Sequence, residues 1–358
     1  MDTHVDFTRR HGLQAAALGS LAAAFAAGGS ALAAPPHRER GRTPRVGERA
    51  HVAVTVATAW VGPNRNRPGI DDPSLSRPVD LDAWNRTMED TEVRRWLTGQ
   101  LETQAVLGSE VIVDEIQGEW ARVVVTHQPT PRDPRGYPGW VPLRQLVVDD
   151  EFAHAARTRA LATVTATRTH LYRNPSLRHP QLAVSFNTIL PVIRRTGRSI
   201  EVAVPGGGSR HLALADAVVR AQGEKPPAPS VEDVIATAER FLGLRYLWAG
   251  VSGYGFDCSG FTFTALGHHG IRIHRDAGPQ KNNSGLTPVA REDLQRGDLV
   301  FFASRPGSES IRHVAFYVGE DRILHAPNAA RSVEQISLSG YDTTGDYAGA
   351  GRWTGLVD

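Results

Sequence analysis

One thiol stands in the chain, Cys258. A single cysteine closes no intrachain disulfide and supplies too little sulfur for a Cys-rich zinc site, so it is either a small buried hydrophobe or a nucleophile. Its surroundings bear on the choice. A glycine-rich stretch, Gly250-Val-Ser-Gly253-Tyr-Gly255, runs into Asp257-Cys258-Ser259-Gly260. Beyond it, Phe261, Ala265 and Leu266 predict a helix that begins at about Cys258. A thiol at a helix N-terminus meets the positive end of the dipole and unpaired N–H groups, which favour the thiolate. The same N–H groups can face an oxyanion, and Asp257 stands where an N-cap residue belongs.

A nucleophilic thiol needs a base. His313 opens an alternating strand, His313-Val-Ala-Phe-Tyr-Val318, and His325 lies in the next one. With Gly319-Glu320-Asp321 as a three-residue hairpin loop, Val318 faces Arg322 and Ala315 faces His325. His325 is then diagonal to His313 on one face, about 7–8 Å away by backbone, a gap that two imidazole rings bridge. Each histidine alone reads as a packed or surface residue; the joint pattern reads as a base with a second residue orienting it. The other histidines, His268, His269 and His274 with Asp276, fit no zinc spacing and read as a helix end. Gly206-Gly207-Gly208 is a turn, because no Lys-Ser/Thr follows it.

Several elements must position these groups. The 358 residues carry 40 basic and 38 acidic side chains, with 41% hydrophobic residues. That composition is globular, and no Lys/Arg block marks a nucleic-acid footprint. Residues 11–34 lack charged groups, follow Arg9-Arg10 and end in Ala31-Leu32-Ala33. The run is too rich in Ala and Gly for a membrane span and reads as a signal peptide over 1–33 of the twin-arginine type, giving a secreted or wall-associated protein. Residues 34–48 read as a solvated linker. Short β-branched runs punctuated by Gly and Pro over 49–150 predict a small antiparallel barrel, interrupted by a helix within 80–97. A second such run covers 155–220. Its opening, Val164-Thr165…Asn174, shares the spacing of Val54-Thr55…Asn64 and suggests an internal repeat. The Pro-rich segment 221–229 is a linker. A capped helix from Ser230 then opens an α+β unit over 230–358.

The order of motifs in this last unit resembles the catalytic domain of the NlpC-type cell-wall peptidases, a papain-related fold. The matching stretches are Arg245-Tyr-Leu-Trp-Ala-Gly250, Phe256-Asp-Cys-Ser-Gly-Phe261, Arg275-Asp276, Gly297-Asp-Leu-Val-Phe-Phe302, Arg312-His-Val-Ala315 and Leu324-His-Ala326. The resemblance implies Cys258 as nucleophile, His313 as base and His325 as orienting residue. It implies Tyr246 at the oxyanion site, with Asp257 and Ser259 beside the substrate. The barrels then resemble bacterial SH3-like modules. Within the family, the likeness runs to the γ-D-glutamyl-L-diamino-acid endopeptidases. Gly136-Tyr-Pro-Gly-Trp-Val141 resembles the module stretch that reaches their active site, which implies a role for Tyr137, and Asp276 resembles their acid for a free peptide amine. A second acid from the first module would be Glu102 or Glu110. Ala277 departs from the pattern, where relatives often carry a small hydroxyl residue.

The implied activity is hydrolysis of peptidoglycan stem peptides after D-glutamate, with a free N-terminal L-Ala. It calls for no cofactor and no metal, and for no nucleic-acid or membrane partner once the signal is removed. Two rivals share the sequence: a non-catalytic wall-binding protein, and an acyltransferase on the same fold.

Overall fold

The computed structural model describes residues 41–353; the expected signal peptide lies outside them. Three large sheets and one two-stranded sheet organise this part of the chain. The first module contains β1 (Arg49–Val52), β2 (Val56–Trp60), β3 (Leu101–Val106), β4 (Glu110–Gln117), β5 (Trp120–Val125), β6 (Tyr137–Pro142) and β7 (Leu146–Val147). The second contains β8 (Leu161–Val164), β9 (Arg168–Tyr172), β10 (Pro180–Ser185), β11 (Ile189–Thr196), β12 (Ser199–Val204), β13 (Gly208–Ala213) and β14 (Ala217–Arg220). The strand orders are β3-β2-β6-β5-β4-β1-β7 and β10-β9-β13-β12-β11-β8-β14. They are the same order, seven strands on, so the expected repeat exists as topology. Alternating small apolar residues build each core, as in β12, where Ile200, Val202 and Val204 point inward and Glu201 outward.

Two expectations about the connections are corrected. Residues 41–48 are not a solvated linker: Arg42 and Val148 exchange both backbone hydrogen bonds, Gly47 donates to Val113, and Pro44 is buried. The single helix expected within 80–97 is split. After α1 (Asp72–Leu75), the insertion forms α2 (Leu81–Thr87) and α3 (Thr91–Arg95). Asp90 causes the break, because its carboxylate caps a new helix by accepting from the N–H groups of Glu92 and Val93. The insertion is a joint. Trp84, Met88 and Leu97 pack with Trp60, Leu101 and Trp120 of the barrel and with Leu247, Ala249 and Tyr254 of the C-terminal unit. The two modules meet through α4 (Asp150–Thr158), whose Phe152 enters the second core.

The C-terminal unit starts with α5 (Val231–Glu239), opened by a capping box of Ser230 and Asp233. A short hairpin, β15 (Val251–Ser252) and β16 (Gly255–Phe256), leads into α6 (Cys258–His268), and α7 (Ala277–Asn283) follows. The sheet contains β17 (Thr287–Val289), β18 (Leu299–Ala303), β19 (Ile311–Gly319), β20 (Arg322–His325), β21 (Glu334–Ser337) and, after α8 (Leu338–Tyr341), β22 (Tyr347–Arg352). Its order is β17-β22-β18-β19-β20-β21, antiparallel throughout. α6 packs on β19 through Phe261 and Phe316, and this apolar contact sets the thiol's helix against the histidine strand. No helix among the described residues is long and apolar enough to cross a membrane.

The β19–β20 turn differs from the expected three-residue loop. Gly319 pairs with Arg322, so the turn is Glu320-Asp321, both with positive φ. A register shift between Tyr317 and Gly319 absorbs one residue, after which Phe316 faces Leu324. The bulge restores the expected parity, and both histidines stay on one face.

Candidate active site

α6 begins at Cys258, as the sequence predicts, with Asp257 as its N-cap; the Asp257 carboxylate accepts from Gly260 N–H at 2.6 Å. That carboxylate is fully engaged by protein. Arg275 donates to both its oxygens, at 3.0 and 2.8 Å, and Ser259 Oγ donates to it at 3.3 Å. Arg275 is wholly buried and also reaches Ser259 Oγ and, at 3.2 Å, Thr103 Oγ1 of β3. Asp257 therefore positions the nucleophile's helix, and Ser259 has part of its hydroxyl committed inward. Gly260 permits the close approach: a Cβ there would sit 2.0 Å from the carbonyl oxygen of Gly250.

Because Arg275–Asp257 is a buried ion pair, removing one partner strands the other. Arg275→Ala is expected to cost about 3–5 kcal/mol of stability. Thermal unfolding of the purified variant checks this; a Tm within a degree or two of the parent would contradict the clamp.

Cys258 and His313 line one open cleft of about 1090 Å³. The Sγ atom lies 4.0 Å from the carbonyl oxygen of Arg312, the residue before His313. His313 Nε2 is 2.8 Å from His325 Nδ1, and His325 is completely buried behind it. With Nε2 occupied, Nδ1 is the free nitrogen of His313. Burial pushes both imidazoles down, His313 well below its ordinary value and His325 to about 3, so both are neutral near pH 7. Burial, with the Asp257 carboxylate, pushes the Cys258 thiol up to about 12, although the Val314 and Ser259 N–H groups and Arg275 pull the other way. Burial and the Asp257 carboxylate thus act against the pull of the helix terminus on the thiolate.

The first module supplies the other end of the cleft. Tyr137 of β6 donates to Asp276 at 2.9 Å to Oδ2. Asp276 is the N-cap of α7, but its side chain caps nothing. Burial raises the Asp276 carboxyl, with Arg275 and the Tyr137 hydroxyl opposing the rise. Glu102, on β3, lines the same cleft and is held by Arg132 at 2.9 Å, while Arg132 also donates to the Tyr137 oxygen at 3.2 Å. Glu110 is on β4, paired with Arg49, so of the two acids only Glu102 lines the cleft. Tyr246 lines the cleft, and burial together with the neighbouring Cys258 and Asp257 raises its hydroxyl. Trp248 lines it too and donates to the Leu101 carbonyl at 2.9 Å, pinning the C-terminal unit to β3; Trp140 packs with Trp60 in the joint instead.

Tyr341 is a site residue that no sequence signal marked. Its ring lies 5.3 Å from His313 and 5.0 Å from His325, roofing the bond between them. It comes from a one-turn helix beyond the last recognisable strand pattern. The three histidines of the expected helix end have protein partners: His268 with Asn187, His269 with Thr237 and His274 with Ser284.

Comparison with known proteins fits this arrangement. Residues 243–350 match the NlpC/P60 family, and residues 164–219 match the YKFC SH3b2 domain. The chain is 45% identical over 307 residues to the gamma-D-glutamyl-L-lysine dipeptidyl-peptidase of Bacillus cereus, covering 85% of this chain and 91% of that one. The Bacillus subtilis protein of the same name is 36% identical over 289 residues, 80% of this chain and 93% of its own. The crystal structure of an NlpC/P60 family protein from Bacillus cereus superposes with a TM-score of 0.80 at 44% identity, over 86% of this chain and 99% of that one. A papain-like catalytic unit behind two SH3-like modules, matched over nearly the whole length of such relatives, makes the chain a member of the NlpC/P60 family of cysteine peptidases.

Proposed function

We propose that this peptidase hydrolyses the γ-D-glutamyl–diamino acid bond of peptidoglycan stem peptides whose L-Ala amine is free. One observation carries the reading: Tyr137, from the first module, donates to Asp276 inside the cleft that holds Cys258. A substrate extending past that contact meets the module, whereas one that ends there in an ammonium compensates a partly buried carboxylate. The names of the two Bacillus relatives support the same bond.

In this reading Cys258 Sγ attacks the γ-carbonyl carbon as its proton passes to His313 Nδ1. The oxyanion meets the unpaired N–H groups at the start of α6 and the Tyr246 hydroxyl. His313 returns the proton to the leaving α-amine, and the γ-glutamyl thioester forms. Water, deprotonated by His313, then releases L-Ala-γ-D-Glu and regenerates the thiol. The test is mass spectrometry of L-Ala-γ-D-Glu-L-Lys incubated with residues 34–358: L-Ala-γ-D-Glu and free lysine are the expected products. An intact peptide, or an amide product formed only with added amines, overturns hydrolysis at this bond.

We place the reaction outside the cytoplasm, on the strength of Arg9-Arg10 and the Ala31-Leu32-Ala33 site. Replacing both arginines with lysine is expected to retain the protein in the cytoplasm, and immunoblots of cell and medium fractions read the outcome. Unchanged export would remove the twin-arginine route.

A further inference from the structure

His325 has a second neighbour. Its Nε2 faces Glu334 Oε1 across 3.4 Å; both atoms are buried, and among the described residues neither has a hydrogen-bond partner. The placement follows from the sheet: Glu334 is the residue of β21 directly paired with His325 of β20. Arg331 holds the other carboxylate oxygen, Oε2, at 2.8 Å, which leaves Oε1 for the ring. The groups facing His325 are His313 from β19, Glu334 from β21, Arg331 from the loop before it and the Tyr341 ring from α8.

We propose that Glu334 is a positioning residue of the catalytic row, accepting the His325 Nε2 proton and thereby fixing which nitrogen of His313 is free to take the thiol proton. The inference rests on the reading of Cys258 and His313 as nucleophile and base. A neutral imidazole carries one N–H. An ionised carboxylate accepts only, so Glu334 draws the His325 proton to Nε2. Nδ1 of His325 is then a bare acceptor, and the 2.8 Å contact requires His313 to donate from Nε2. His313 Nδ1, on the cleft side, is left with its lone pair. Without Glu334, the row can reverse: His325 donates from Nδ1, His313 Nε2 accepts, and His313 Nδ1 carries a proton it cannot add to. No atom changes owner in the resting state; Glu334 selects between two tautomers of the same pair.

Two variants and two readouts test this. Glu334→Met keeps the volume and removes the acceptor; Glu334→Gln keeps an acceptor oxygen and removes the charge that Arg331 needs. For Glu334→Met, kcat is expected to fall about 10- to 100-fold with KM within about twofold, as for one charge-assisted hydrogen bond. For Glu334→Gln, most of kcat is expected to return. In the acid limb of kcat/KM, Glu334→Gln shifts to lower pH, because a neutral amide stabilises the protonated row less than a carboxylate does. The second readout needs no turnover. In ¹⁵N-histidine-labelled Cys258→Ala protein, His325 should carry its proton on Nε2, and adding Glu334→Met should move population to Nδ1. An unchanged tautomer, or equal losses in the Met and Gln variants, would reduce Glu334 to an anchor for Arg331 and overturn the proposal. A failure of the nucleophile reading shows separately, as turnover by Cys258→Ala alone.

Discussion

Cys258→Ala is expected to lose at least about 10⁴-fold in the rate of peptide hydrolysis while its unfolding transition stays within a few degrees of the parent. The chain has no second thiol to substitute. The loss is chemical, because Asp257, Gly260 and Arg275 hold the start of α6 independently of the sulfur, whose contact to the Arg312 carbonyl is a long 4.0 Å. His313→Ala is expected to fall nearly as far. His325→Ala is expected to lose less, about 10²- to 10³-fold, since it orients the ring that moves the proton. The pH profile carries a further sign. Burial lowers the His313 imidazolium, and the base works only when neutral, so the acid limb of kcat/KM is expected below pH 6.5. Steady-state kinetics on the tripeptide with unfolding scans of each variant separate chemistry from stability. Residual turnover by Cys258→Ala above about 1% of the parent would contradict the thiol mechanism.

The grouping of Cys258, His313 and His325 is legible in the sequence because its constraints are local. A helix start, an N-cap carboxylate and an apolar stripe lie within ten residues of Cys258, and the alternation of β19 and β20 puts His313 and His325 on one face whatever the turn does. Even the misread hairpin cost nothing, since the bulge after Tyr317 returned the register to the expected parity. What the sequence hid was long-range. Tyr341 roofs the histidine pair from a one-turn helix with no periodic signature. Arg275 is visible beside Asp276, but its reach to Thr103, 172 positions away, depends on how β3 docks. The environment of the thiol is long-range in the same way. A helix dipole can be read from a motif, whereas the desolvation that opposes it comes from everything packed around the site. The insertion is the largest such case: its apolar residues read as a lone helix, yet they seal the joint between barrel and catalytic unit.

Asp276→Asn is expected to lower kcat/KM for L-Ala-γ-D-Glu-L-Lys about 10²-fold and to leave the slow cleavage of its N-acetylated form nearly unchanged. The asymmetry follows from charge. Asp276 is partly buried, its carboxylate is compensated only in part by Arg275 and the Tyr137 hydroxyl, and in the proposed reading a bound ammonium supplies the rest. An N-acetyl group brings no charge and adds atoms where Tyr137 and Glu102 stand. The amide of Asn keeps the shape and one acceptor oxygen for Tyr137, so the substitution removes the charge without opening the cleft. Tyr137→Phe separates the two contributions. It deletes the hydroxyl that shares the carboxylate and leaves the wall, so rejection of the acetylated peptide is expected to persist while affinity for the free amine changes by less than about tenfold. Competition between free and acetylated peptides, followed by mass spectrometry, gives the ratio directly. Parent protein that cuts acetylated stem peptides or whole sacculi as fast as the free tripeptide would mean that the first module does not close the cleft, and that Asp276 has another task.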